Sequence, residues 1–280
     1  MVPAPPPTIG FDQIAFHIHW DVLGIVAALA IGYAYALRRL APQRPVGGEP
    51  AATRRQIVWF GAGLVLFFLA RSWPIHDMGD QSLFLFHMIE HLVLALAVPP
   101  MLLLGTPAWL MQMLVAPILP VVRFLTRPLV ALLLFNGVLA YIHAPNVIEL
   151  MLRNEAAHLG LHLALIVSAT LMWWPVVGPI PEIPKLSPFM AMGYLFLQSL
   201  VPTIPASFLT FAATPVYDVY LELPRLWGLS VLDDQLIAGL IMKVGGGMFL
   251  WAIIATIWFK WAAAEERSAN RGPVIRVPQA

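Results

Sequence analysis

The chain has 280 residues, of which 60% are hydrophobic and only 11% are charged. Soluble domains carry about a quarter charged residues, so this composition indicates an integral membrane protein. The formal net charge of +1, with no basic stripe outside the loops that set topology, gives no support for nucleic-acid binding. Because the chain has no cysteine, disulfides, thiolate metal ligands and CxxC redox chemistry are excluded.

An apolar helix of about 17 to 25 residues is needed to cross a bilayer. We expect seven such helices, at 18–38, 57–73, 83–104, 126–143, 158–177, 188–211 and 234–259. The apolar segment 105–127 is interrupted by three prolines, and we expect it to lie along the inner interface. The sequence thus predicts an all-α integral membrane protein, a seven-transmembrane helix bundle with a single membrane domain at residues 1–260.

The lysines and arginines predict the orientation, because cytoplasmic loops retain positive charge. With the amino terminus outside, the outer side holds only Arg71, Arg153 and Arg225. The inner side then holds Arg38, Arg39, Arg44, Arg54, Arg55, Arg123, Arg127, Lys185, Lys260, Arg267, Arg271 and Arg276. We therefore expect a short Pro-rich extracytoplasmic amino terminus at 1–17 and a polar cytoplasmic tail at 261–280. We also expect tryptophans near the helix ends, including Trp173 and Trp174, to anchor the helices at the interface.

All eight histidines fall on the predicted outer side. His87 and His91 are four residues apart, as are His158 and His162, so each pair lies on one helix face. The third and fifth spans run in the same direction, and the two pairs can meet if these spans are neighbours. Ionisable groups at membrane depth usually face the bundle interior, where they form hydrogen bonds between helices or serve a function.

Two such pairs, with Glu90 inside the first and His143 at the end of the fourth span, favour a metal site. Imidazole suits copper, zinc and iron, and the thioether of Met88 would favour Cu(I). We therefore predict a metal site toward the extracytoplasmic side, with Glu90 supporting the ligands and with copper, zinc and iron all open as the metal. The candidate ligands are His87, His91, His158, His162, His143, His76 and Met88.

Three alternatives use the same residues. The sequence HMIEH matches the H-x-x-E-H pattern of zinc proteases, although no catalytic domain surrounds it. Histidines on facing helices can also ligate haem, which would make the protein a membrane electron carrier. Lys243 in the seventh span is typical of retinal proteins, but Gly239 stands where their acidic partner would be. We expect Lys243 to pair with Asp234, Glu90 or backbone carbonyls beside the site.

Three segments carry a family resemblance: FHMIEHLVLALAVPPMLLLGTP, FNGVLAYIHAPNVIELMLRNEAAHLGLHLALIVSATLMWWPVVGP and LDDQLIAGLIMKVGGG. Together they resemble the CtaG family of cytochrome c oxidase assembly factors, over most of residues 55–260. The likeness includes both histidine pairs, Asn136, the His-x-Pro at His143 and the Asp-Gln-x-x-Ala-Gly that begins at Asp234. Lys243 departs from the family, which usually has an apolar or aromatic residue there.

The resemblance implies a non-enzymatic, multi-pass protein of the bacterial plasma membrane that is needed to make an active haem-copper oxidase. It implies that copper is the metal held by these histidines and that it is delivered to cytochrome c oxidase subunits. The lipid bilayer is a further expected partner, and a homo-oligomer is one assembly that the sequence allows. Behind the ligands, Asn136, Asp234 and Lys243 join Glu90 as candidate supporting residues. A scaffold that holds oxidase subunits without a metal remains an alternative.

Overall fold

The computed structural model describes residues 6–41 and 50–270. Most of this chain is helical, because a backbone in lipid must satisfy its hydrogen bonds internally. The helices are α1 (Trp20–Leu40), α2 (Arg54–Ala70), α3 (Ile75–Gln81), α4 (Phe84–Gly105), α5 (Ala108–Leu125), α6 (Pro128–Ile142), α7 (Pro145–Arg153), α8 (Glu155–Val177), α9 (Pro188–Thr210) and α10 (Val231–Ala269). Two short strands, β1 (Thr8–Ile9) and β2 (Arg225–Leu226), pair in parallel.

The predicted all-α bundle with seven candidate spans is confirmed. Seven segments are long and apolar enough to cross a membrane: α1, α2 with α3, α4, α5, α8, α9 and α10. Helix α5 belongs to this set by its length and composition. Helix α6 does not, because it is short on its own: it ends at Ile142, before a 70° bend into α7. The contacts between helices decide which of α5 and α6 crosses the bundle.

The structure makes α6 a crossing helix. At its carboxyl end, His143 Nε2 lies 3.4 Å from Sδ of Met88, which is in the first turns of α4. Helix α6 therefore ends where α4 begins, and it starts at the opposite end of the bundle, where α4 terminates at Gly105. Since α5 joins the end of α4 to the start of α6, both its ends lie at that same end of the bundle. Within residues 6–41 and 50–270 the bundle thus has seven crossings, with α6 as the fourth.

We call the end of the bundle where α1, α4, α8 and α10 begin the histidine end, because the histidines gather there. Two segments cover it, 6–19 and 211–230, which we call the cap layer. Strand pairing joins these segments, and Tyr217 and Tyr220 donate hydroxyl hydrogen bonds to the carbonyls of His143 and Gly79. Burial raises the pKa of both tyrosines, so their hydroxyls stay protonated as donors.

Several predicted boundaries differ from the observed ones. The second span continues through α3 to Gln81, and α10 runs to Ala269, so the predicted tail at 261–280 begins as helix. Residues 271–280 of that tail, residues 1–5 of the predicted amino-terminal segment and residues 42–49 lie outside the described chain. The remainder of the amino-terminal segment packs onto the bundle, where His17 and His19 contact Asp77.

Close backbone approach places α4 at the centre of the bundle. A side chain at Gly105 would collide with the backbone of Phe60 in α2, and a Cβ at Gly79 would lie 2.9 Å from the backbone nitrogen of His87. Only glycine permits both contacts. Gly79 therefore brings α3 directly against the turn of α4 that carries the first histidine pair.

Trp173 and Trp174 are buried inside the bundle, so the expectation that they anchor the interface is wrong. Helix α4 contains a π-helical turn at Val93–Ala97, and the Trp173 indole N–H donates to the carbonyl of Ala95 within it, at 3.0 Å. Such turns alter the regular i to i−4 bonding and leave a carbonyl for an outside donor. Trp173 is thus a structural link between α8 and α4, one turn beyond His91.

A buried ion pair fixes the start of α4. Asp234 accepts the backbone N–H groups of Phe84 and Leu85 at 2.9 Å each, and a hydrogen bond of 2.8 Å from the Arg225 guanidinium. A carboxylate at a helix amino terminus satisfies free N–H groups and favours the helix dipole. Asp234 therefore positions the first histidine-bearing turn rather than touching the histidines.

Replacing Asp234 by alanine leaves Arg225 buried without its carboxylate and two N–H groups without an acceptor. We expect a loss of stability of about 3 to 5 kcal/mol, measured by thermal unfolding in detergent. The control is Asp233→Ala, which removes an exposed carboxylate on the preceding residue and should change stability by less than about 1 kcal/mol. Equal effects of the two substitutions would contradict this role of Asp234.

Candidate metal centre

The two histidine pairs meet, as their spacing predicts. Helices α4 and α8 run in the same direction from the histidine end, and Nε2 of His91 lies 2.8 Å from Nε2 of His162. The rings of His87 and His158 are 5.8 Å apart between centroids, and those of His158 and His162 are 4.4 Å apart. All four side chains are buried.

His143 and Met88 extend this group into the bundle. His143 Nδ1 donates to the carbonyl of Leu139 at 2.7 Å, which leaves the lone pair on Nε2, next to the Met88 sulfur. The His143 ring lies 5.9 Å from that of His91. A cavity of about 40 Å³ adjoins these side chains and is also lined by Met172 and Met242. Nitrogen and thioether donors therefore continue inward from the histidine pairs.

A buried ion pair stands on the other side of the histidines. Arg71 Nη1 donates to Oε1 of Glu90 at 2.7 Å and lies 3.1 Å from Nδ1 of His162. Glu90 Oε2 is 2.9 Å from Nδ1 of His76, close enough for a charge-assisted hydrogen bond. Glu90 thus orients His76 and neutralises Arg71.

The role of Arg71 was not predicted. A signal was present, since Arg71 is one of three cations on a side that otherwise lacks them. A cation at the outer end of a span is best explained by a buried residue of opposite charge that pairs with it. Asp80 was also missed: its Oδ2 lies 3.5 Å from both His76 Nε2 and His158 Nδ1.

Several buried ring nitrogens have no hydrogen-bond partner within the described residues. They are Nδ1 and Nε2 of His87, Nδ1 of His91 and Nε2 of His158. Leaving such an atom unsatisfied costs about 1 to 3 kcal/mol, so a ligand for these atoms is the natural explanation. His87, His158 and His162 each offer a nitrogen within 4.8 Å of the other two. Three imidazoles at this spacing suit copper or zinc, and of the three only His162 has neighbours at both ring nitrogens, Arg71 and His91.

The structure places the remaining candidates away from this centre. Asn136 donates to Gln198 and to the carbonyl of Leu132, and it fastens α6 to α9. Lys243 lies 3.4 Å from the Ser207 hydroxyl and packs over the Phe211 ring at 5.3 Å, rather than pairing with Asp234 or Glu90. Helix packing turned Lys243 to the α9 face, which its position in the sequence does not reveal.

Comparison with known proteins identifies a family for this chain. A family model described as cytochrome c oxidase caa3 assembly factor (Caa3_CtaG) matches residues 31–264. An uncharacterized protein of Mycobacterium bovis is 25% identical over 291 residues, covering 95% of this chain and 42% of its own length. An uncharacterized protein of Mycobacterium leprae is 22% identical over 300 residues, covering 96% of this chain and 43% of its own.

The chain thus spans less than half the length of these relatives. No solved structure matches it. The family match runs from α1 to α10 and includes every helix that contributes to the histidine cluster. The chain therefore belongs to the cytochrome c oxidase caa3 assembly factor (Caa3_CtaG) family.

Proposed function

We propose that this protein binds copper and delivers it to a subunit of a haem-copper cytochrome c oxidase during assembly. The copper is the cargo, held by the three imidazoles of His87, His158 and His162. His91, His143 and Met88 continue the path inward. The observation that carries the proposal is the set of buried imidazole nitrogens without partners, centred on His87.

The distribution of cations supports an extracytoplasmic position for the histidine end. Of its three arginines, Arg71 and Arg225 are buried in ion pairs, and Arg153 pairs with Glu149 and Glu222. The opposite end carries the remaining described cations of the loops and helix ends: Arg38, Arg39, Arg54, Arg55, Arg123, Arg127, Lys185, Lys260 and Arg267. Cytoplasmic loops retain such charges, so copper would be collected outside the plasma membrane.

Two other activities fit the geometry less well. A haem between the histidine helices would need a planar gap of macrocycle size, whereas the adjoining cavity of about 40 Å³ suits only a few water molecules. A zinc protease needs Glu90 free to activate water, but Glu90 is fully buried and engaged by Arg71 and His76. A scaffold without metal leaves the partnerless nitrogens of His87 unexplained.

Copper binding also has a proton balance. One proton lies between the Nε2 atoms of His91 and His162, which are 2.8 Å apart. A metal that takes Nε2 of His162 as a ligand displaces this proton to the other nitrogen of the ring, because only a nitrogen without a proton coordinates and a neutral imidazole keeps one N–H. Loading should weaken as the pH falls, because protons then compete with the metal for the ring nitrogens.

The first prediction concerns His87, whose substitution breaks no hydrogen bond to a described residue. The variant His87→Leu should accumulate and unfold like the wild type but lose the copper that survives desalting, as measured by metal analysis. The matched control is His17→Ala, an exposed histidine at the same end, which should retain full copper. Unchanged copper in His87→Leu would refute the proposed site.

The second prediction concerns the ion pair behind the site. Arg71→Met leaves Glu90 buried without its strongest partner, and we expect a loss of about 3 to 5 kcal/mol in stability. Arg71→Met combined with Glu90→Met removes both charges and should recover part of that loss. Thermal unfolding in detergent measures both, and a double variant less stable than Arg71→Met would contradict the pairing.

A further inference from the structure

We propose a second metal site, formed by His76, Asp80 and His158, that receives copper from solution and passes it inward through the shared imidazole of His158. We call it the outer site, and the His87–His158–His162 group the inner site. The inference rests on the proposed function, because it supplies the inner site with its cargo.

The geometry of the outer site suits a small metal ion. Asp80 Oδ2 lies 3.5 Å from His76 Nε2 and 3.5 Å from His158 Nδ1, and the three residues offer atoms that are all within 4.8 Å of one another. A four-coordinate ion with bonds of about 2.0 to 2.2 Å holds neighbouring ligands roughly 2.8 to 3.6 Å apart, the lower values in the tetragonal geometry of Cu(II) and the upper ones in a tetrahedral site. The second oxygen of Asp80, Oδ1, is buried and has no partner among the described residues.

Glu90 prepares His76 for this role. It accepts a hydrogen bond from Nδ1 of His76, so Nε2 faces Asp80 as the coordinating atom. Carboxylates that fix the tautomer and orientation of an imidazole in this way are common behind metal ligands. Without a metal, a proton on Nε2 of His76 can face the Asp80 carboxylate. A metal that binds at the site takes the place of that proton.

His158 belongs to both sites through its two nitrogens. Nδ1 faces Asp80, whereas Nε2 is without a partner in the described chain and the ring packs against His87 and His162. A neutral imidazole has one lone pair, so it can hold an ion at only one site at a time. When the ion moves inward, Nε2 of His158 gives up its proton and binds the ion, while Nδ1 releases the ion and takes up one proton, so the ring stays neutral and the oxidation state of the ion does not change.

Exposure gives the direction of transfer. The side chain of Asp80 is 29% exposed, compared with 8% for His76 and 9% for His158, whereas His87 and His162 are sealed inside. A further histidine lies between this site and solvent: the ring of His19 is 4.9 Å from that of His76. The mixed carboxylate and imidazole donors of the outer site suit a hydrated divalent ion more than the inner imidazoles do.

The first test is the rate of copper loading, with Cu(II) chloride added to the full chain in detergent. Asp80→Asn keeps the shape of the side chain but removes its charge. Its copper content at equilibrium should match the wild type, while loading slows on the order of tenfold, the usual scale for losing one supporting group. Glu155→Gln is the matched control, an exposed carboxylate at the same end that should load normally.

The second test isolates the outer site. In His87→Leu the tight inner site is lost, and we expect one weakly held Cu(II) with imidazole nitrogen couplings in its electron paramagnetic resonance spectrum. Adding Asp80→Asn to that variant should weaken the residual Kd on the order of tenfold or more.

The outcomes separate the two proposals. If the wild type holds copper and His87→Leu loses the tight ion, the proposed function stands. The outer site is then overturned if Asp80→Asn loads at the wild-type rate, or if His87→Leu shows no residual binding. If the wild type takes up no copper, both proposals fail.

Discussion

The buried ion pair between Arg71 and Glu90 holds the histidine cluster together. Arg71 follows α2, Glu90 lies in the middle of the first histidine pair, and their contact of 2.7 Å ties these two segments at membrane depth. The same two side chains reach His162 on α8 and His76 on α3, so four helical segments converge on one pair of opposite charges. Neither charge would be tolerated at that depth alone, which makes the pair and the cluster mutually dependent.

Around this ion pair, three further contacts hold α4 in position. Asp234 fixes its first turn, Gly79 lets α3 approach at His87, and Trp173 bonds to its π-helical turn beyond His91. Such supports hold ligand side chains in place without themselves touching a metal. The cap layer then covers the histidine end, and Asp80 gives the site its partly exposed edge. The result is a chain of histidine rings from His19 to His143 that links the surface to the bundle interior.

Much of this architecture could be predicted from the sequence, because hydropathy indicates where an apolar helix is long enough to cross the bilayer, and residue spacing indicates which side chains share a helix face. The seven crossings and the placing of each histidine pair on one helix face follow from those signals, whereas the meeting of the two pairs also required the third and fifth spans to be neighbours. Arg71 was missed because its partner Glu90 lies on α4, and Asp80 was missed because His158 lies on α8, so both contacts depend on how the helices pack. Only the spacing of four residues between His76 and Asp80 was visible in the sequence. Trp173 and Lys243 were misplaced for a related reason: sequence shows that a residue lies in a span, whereas packing decides which neighbour its side chain meets.

The central claim is that copper binds to the imidazoles of this cluster. X-ray absorption at the copper edge of the loaded, desalted protein tests it most directly, because the spectrum identifies the ligands themselves. We expect stoichiometric copper with imidazole scattering from about three nitrogen ligands near 2.0 Å. Copper surrounded only by oxygen atoms, or no retained copper at all, would contradict it.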